Sequence, residues 1–120
     1  EQGTLADDEL ARLALLLESI PVRDAAWRAI TPEQPHLRLW TDLTRRADPS
    51  LVPAPASLLA FTAWRSGDGA LAGLALERAL RQDPAYSMAT LIRHALEQGL
   101  SPSTLDGWPG VAEEPADAVR

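Results

Sequence analysis

The stretch that decides the fold runs from Pro55 to Gly99, and its centre reads Trp64-Arg65-Ser66-Gly67-Asp68-Gly69-Ala70-Leu71. Before it, Leu58, Leu59, Ala60, Phe61, Ala63 and Trp64 leave a helix from about Ala56 to Trp64 almost no polar face, so its neighbours must bury it. Gly67 suits the left-handed residue that follows a helix end, and Asp68 suits the N-cap of the next helix. That next helix is expected to turn Leu71, Leu74, Ala75 and Leu80 inward and to pair Glu77 with Arg81 outside. Ala72, Gly73 and Ala79 are small enough for a neighbouring backbone to approach, so Gly73→Leu is expected to destabilise by at least ~1 kcal/mol through overpacking. Asp83-Pro84 then offers a cap and proline start for a third helix through Met88, Leu91, Ile92, Ala95 and Leu96, ending at Gly99.

Upstream, Thr4-Leu5-Ala6-Asp7 has capping-box form, and Leu10, Leu13, Leu16, Leu17 and Ile20 follow at helical spacing. Pro21 ends or kinks that helix, and a short one through Asp24, Ala25, Ala26, Trp27 and Ile30 comes next. Thr31-Pro32-Glu33-Gln34, or Pro35, opens a helix through Leu37, Leu39, Trp40, Leu43 and Ala47, with Asp42 one turn before Arg45 and Arg46. Asp48-Pro49-Ser50 breaks it, and Pro53 and Pro55 predict a stiff, extended linker. Ser101-Pro102 begins a last turn. No alternating or β-branched run of strand length occurs, so the fold class is all-α, with five to seven helices, a helical-hairpin core and flanking capping helices. Residues 1–105 read as a single all-α domain and residues 106–120 as an acidic tail rich in proline and glycine.

Composition narrows the chemistry. The 120 residues suffice for one domain with its own core, and 46% hydrophobic with 23% charged residues is ordinary for a globular chain. Cysteine is absent, which excludes disulfides, thiol catalysis and cysteine-based metal sites. All 11 basic residues are arginine, which excludes Schiff-base chemistry and a phosphate-loop lysine. The net charge of −6 sits at the ends, −4 over residues 1–9 and −3 over residues 106–120, leaving +1 between them. With no arginine stripe and interleaved aromatics, no nucleic-acid partner is indicated. No apolar run approaches the ~18 residues of a membrane span and no signal segment opens the chain, so a cytoplasmic location is expected. The chain begins at Glu1 and its one methionine is Met88, so it reads as part of a longer protein with an N-terminal region missing.

Two resemblances follow from these residues. Leu59, Ala60, Ala63, Gly67, Ala72, Leu76, Ala79 and Pro84 place residues 56–84 in a register that resembles a tetratricopeptide hairpin. Ala56 and Ala63 depart from its aromatic positions, and there is no clean second copy. More closely, Val22-Arg23-Asp24-Ala25-Ala26-Trp27, Leu39-Trp40-Thr41-Asp42-Leu43-Thr44-Arg45-Arg46, Ala54 to Trp64, Gly67 to Ala72, Ala75 to Leu80 and Asp83 to Ala89 resemble an uncharacterised actinobacterial family. That family is known only as a domain of unknown function, and these runs are similar to its C-terminal region. The resemblance covers roughly residues 10–105 and implies no catalytic residues.

Gly67-Asp68-Gly69-Ala70-Leu71-Ala72 satisfies the dinucleotide fingerprint as a string, but that mechanism needs a preceding strand, and a helix is expected here. Gly67, Asp68 and Gly69 remain a candidate anion-binding turn, because the first amides of a helix are free. His36 and His94 lack a partner at ligand spacing, Asp7, Asp8 and Glu9 read as a solvated helix start, and Ser57, Ser66 and Ser87 lack a nucleophile elbow. No catalytic, metal or cofactor residues are assigned. Trp27, Trp40 and Trp64 at apolar helix positions read most simply as core, though one partly exposed tryptophan could anchor a partner; Trp64, Arg65, Arg78, Arg93 and Trp108 form the candidate interaction surface. The leading expectation is a non-enzymatic helical interaction module whose partner is another protein or the missing N-terminal region. The alternative is an accessory domain of an enzyme or an anion-binding protein. Oligomeric state is not encoded in any pattern found.

Overall fold

Helix α4, Pro53–Arg65, lies at the centre of the molecule, and every residue from Pro53 to Trp64 is buried. This computed structural model describes residues 5–31 and 36–105. Around α4 are arranged α1 (Asp7–Leu16), α2 (Ile20–Ala29), α3 (Leu37–Arg46), α5 (Gly69–Gln82) and α6 (Ser87–Glu97), with single turns of 3-10 helix at Pro49–Leu51 and Pro102–Leu105. The described residues thus form six α-helices and no strand, as the absence of strand patterning predicts. The most extensive neighbour of α4 is α5, then α3, with α6 and α2 completing the surround.

The expected extended linker at Pro53 and Pro55 is instead the first turn of α4. First-turn amides have no acceptor inside the helix, so proline loses nothing there, and the first helical bond runs from the Ala56 amide to the Val52 carbonyl at 2.9 Å. The two polar side chains inside α4 are satisfied along its own axis. Ser57 donates to the Pro53 carbonyl at 2.7 Å and Thr62 to the Leu58 carbonyl at 2.8 Å. Trp27 and Trp64 flank Phe61 edge-on, with ring centroids 5.2 and 6.2 Å from it, and Trp40, Leu43, Met88 and Ile92 fill the remaining space.

The turn after α4 follows the expected design. Gly67 takes φ 85°, its amide donates to the Trp64 carbonyl at 3.0 Å, and the Asp68 amide donates to the Ala63 carbonyl at 2.8 Å. Asp68 then caps α5 by accepting from the Leu71 amide at 3.0 Å. Gly99, at φ 73°, closes α6 the same way, with the Leu100 amide on the Ala95 carbonyl.

Several sequence expectations are corrected. The buried face of α5 is Ala72, Ala75, Leu76 and Ala79; Leu71 and Leu80 lie at its margins, and Leu74 is 64% exposed. Three of those four residues are alanines, small side chains that suit the extensive contact with α4. Gly73 meets no neighbour, since a Cβ built there finds nothing within 4 Å, so the expected overpacking of Gly73→Leu is withdrawn. Asp83 and Pro84 form a turn, with the Asp83 carboxylate accepting from the Ala85 amide at 3.1 Å, and α6 starts later at Ser87. Leu16 and Ile20 do not continue the buried stripe of Leu10, Ala14 and Leu17, because α1 ends at Leu16 and Ile20 opens α2 with Pro21 in its first turn. The start of α1 is capped by Glu9, which accepts from the Ala6 amide at 3.1 Å. The capping threonine Thr4 and most of the Thr31–Gln34 signal lie outside the described residues.

Candidate interaction surface

The residues singled out in the sequence do not converge on one face. Trp64 is 7% exposed and belongs to the core. Arg65 is partly buried, with its guanidinium 5.7 Å from the Phe61 ring centre, a cation-π distance. Arg78 borders a depression with Pro49, Val52, Arg81 and Gln82, whereas Arg93 borders a different groove with Gly73, Leu76 and Leu80. The Arg93 Nε lies 3.9 Å from Glu97 across one turn of α6. Trp108 lies outside the described residues.

The Gly67-Asp68-Gly69 turn is preceded by a helix, so the strand that a dinucleotide site requires is replaced by α4. Asp68 occupies the Leu71 amide and places its own negative charge at the start of α5, which disfavours a second anion there. Among the described residues no three His, Asp or Glu side chains converge as metal ligands.

What the sequence reading missed is a buried polar cluster on α2. Arg23 and Asp24 are each 4% exposed. Arg23 donates from Nε and Nη2 to Asp24 Oδ1, at 3.0 and 2.8 Å, and from Nη1 to the Tyr86 hydroxyl at 3.4 Å, while its guanidinium lies 5.7 Å from the Tyr86 ring centre. Burial alone would lower the Arg23 pKa, but the hydrogen bonds to Tyr86 and Asp24 more than offset it and leave it raised. The signal was present: Arg23 and Asp24 precede Trp27 by four and three positions and so share its inward face. A second tie joins α1 to α3, where Arg46 bonds Asp42 at 2.7 Å, the Leu5 carbonyl at 3.0 Å and the Asp7 carboxylate.

The exposed apolar surface lies elsewhere. Leu15, Leu16 and Ile20 are 61, 50 and 57% exposed at the corner between α1 and α2, joined by Val22. Leu15 also lines a groove of about 260 Å³ between α1, α3 and the Pro49–Leu51 turn, whose walls are Leu10, Ala11, Ala14, Ala47 and Leu51. Among the described residues no helix is long and apolar enough to cross a membrane.

The family model described as a domain of unknown function, DUF4192, matches residues 1–103. No curated protein and no solved structure matches the chain. A match over most of the chain decides its affiliation: the protein belongs to the DUF4192 family of domains of unknown function.

Proposed function

We propose that these helices act as a non-catalytic protein-interaction module whose contact surface is the corner between α1 and α2. The observation that carries this reading is the trio Leu15, Leu16 and Ile20, each at least half exposed within six residues and continuous through Leu15 with an apolar groove. Isolated exposed leucines are common, but a cluster bordering a groove is the usual mark of an interaction site. The tetratricopeptide-like character of α4 and α5 belongs to the same proposal. It is supported by the three-residue turn that joins them and by the buried alanines of α5, the chief neighbour of α4. So do the cytoplasmic setting and a partner that is either another protein or a further segment of a longer chain.

The test is a triple variant, Leu15→Ser, Leu16→Ser, Ile20→Ser. Wild-type protein and variant are used to capture partners, and a partner found only with the wild type is purified and its binding measured directly. The expected result is binding weakened at least tenfold at an unchanged melting midpoint. Equal binding by both proteins would remove this corner from the reading.

A further inference from the structure

A depression of about 60 Å³ lies where the C-terminal half of α5 passes the Pro49–Leu51 turn, lined by Pro49, Val52, Arg78, Arg81 and Gln82. The three α5 residues are spaced i, i+3 and i+4, so their side chains leave neighbouring positions on one side of the helix. Arg78 is partly buried and makes no hydrogen bond or ion pair among the described residues. Among the described residues Arg81 has one ionic neighbour, Glu77 at 3.8 Å, and both side chains are about 70% exposed, so that pair contributes little and is readily exchanged.

Among the described residues no carboxylate lines this depression. The contrast is with the α1–α3 groove, bordered by Asp7 and Asp48, and with the α5–α6 groove, bordered by Glu77 and Glu97. Besides Glu77, the acidic residues flanking these segments in sequence are Asp48 and Asp83, and both are turned to other work. Asp48 Oδ1 accepts from the Ser50 amide at 3.0 Å and the Ser50 hydroxyl at 2.7 Å, which holds its pKa below the usual carboxylate value. Asp83 accepts from the Ala85 amide.

A guanidinium partly withdrawn from water without a counter-charge gains from any oxyanion it can reach, and its planar fork matches two phosphate oxygens. The depression is small and open to solvent, which suits a small tetrahedral oxyanion better than a base or a sugar. We propose that Arg78, Arg81 and Gln82 form a binding site for a phosphate group, with the two guanidinium groups and the Gln82 amide donating to its oxygens. The phosphate is either free or the terminal group of a small ester whose remainder stays in solvent. This site is separate from the α1–α2 corner and stands independently of it.

The test is a titration of the isotopically labelled 120-residue chain with inorganic phosphate and, separately, with glycerol 3-phosphate, at ionic strength held constant with chloride. It follows the Nε–H signals of Arg78, Arg81 and Arg93 and the side-chain amide of Gln82 by NMR. Saturable shifts of Arg78, Arg81 and Gln82 with Arg93 unmoved are expected, and Arg78→Gln is expected to weaken them at least tenfold. Saturation with the ester identifies a phosphate ester as the ligand class, and saturation with inorganic phosphate alone identifies the free anion. Linear shifts spread over all three arginines, or saturable shifts that survive Arg78→Gln, would overturn the proposal. The spectrum of the variant itself reports whether it remains folded.

Discussion

Arg23 and Asp24 are consecutive residues on α2, both buried, and Arg23 Nη2 lies 2.8 Å from Asp24 Oδ1. Successive helical positions point about 100° apart, so the pair closes only because the long arginine bends back over its short neighbour. The remaining guanidinium nitrogen reaches Tyr86, just before α6, so Arg23, held by its neighbour Asp24, ties α2 to a residue 63 positions along the chain. A buried ion pair is seldom a large net stabiliser, since desolvation consumes much of its attraction, but leaving one member alone is expensive.

Asp24→Ala strands the Arg23 guanidinium in the core and is expected to lower stability by about 3–5 kcal/mol. The double variant Arg23→Met, Asp24→Leu is expected to lose less than Asp24→Ala does. Urea denaturation of the three proteins measures this. A loss below ~1 kcal/mol for Asp24→Ala would mean that the pair is not buried in solution.

Tyr86 makes the alkaline limb of stability readable. Burial holds its hydroxyl pKa above the usual value near 10, and the hydrogen bond and charge of Arg23 pull it down without cancelling the effect. A raised folded pKa means that the native state favours the neutral phenol. That contribution is complete below the unfolded pKa and is lost as pH rises through the folded one. The chain has one tyrosine and neither lysine nor cysteine, so no other side chain titrates in that window. Stability is expected to fall above pH ~10 in the wild type and to stay nearly flat in Tyr86→Phe. Parallel alkaline limbs in the two proteins would refute this.

Gly73 and Gly67 are expected to respond in opposite directions. At Gly73 an added methyl meets open space inside α5, so Gly73→Ala should stabilise by about 0.5–1 kcal/mol through helix propensity. At Gly67 the left-handed backbone opposes any Cβ, and Gly67→Ala should cost about 1–2 kcal/mol. Thermal midpoints that move together would contradict this assignment.

Ala60 has no exposed surface and sits midway along the helix that α2, α3, α5 and α6 surround. Ala60→Leu is expected to cost about 1–3 kcal/mol by overpacking. A calorimetric midpoint within one degree of wild type would show a cavity beside α4 large enough for leucine.

The helix-forming segments were legible because their signals are local. Gly67 and Asp68 punctuate α4 and α5 in sequence as they do in space, and the apolar run from Leu58 to Trp64 has no polar side to offer solvent. The errors arose where a neighbour in space decides. Hydrophobicity places Leu74 inward, yet the face of α5 that meets its neighbours is Ala72, Ala75, Leu76 and Ala79. Of the two roles open to Trp64, core residue or surface anchor, packing against Phe61 selects the first. By itself the sequence determined an all-α chain, the turn at Gly67, the absence of thiol and lysine chemistry, and the family. Only tertiary structure decided that Arg23, Asp24 and Tyr86 meet, that Leu15, Leu16 and Ile20 stay outside, and that Arg78 and Arg81 share a depression with no carboxylate among its described lining residues. Those outcomes depend on which helix faces come together, and close packing between segments far apart in the chain settles that where local periodicity does not.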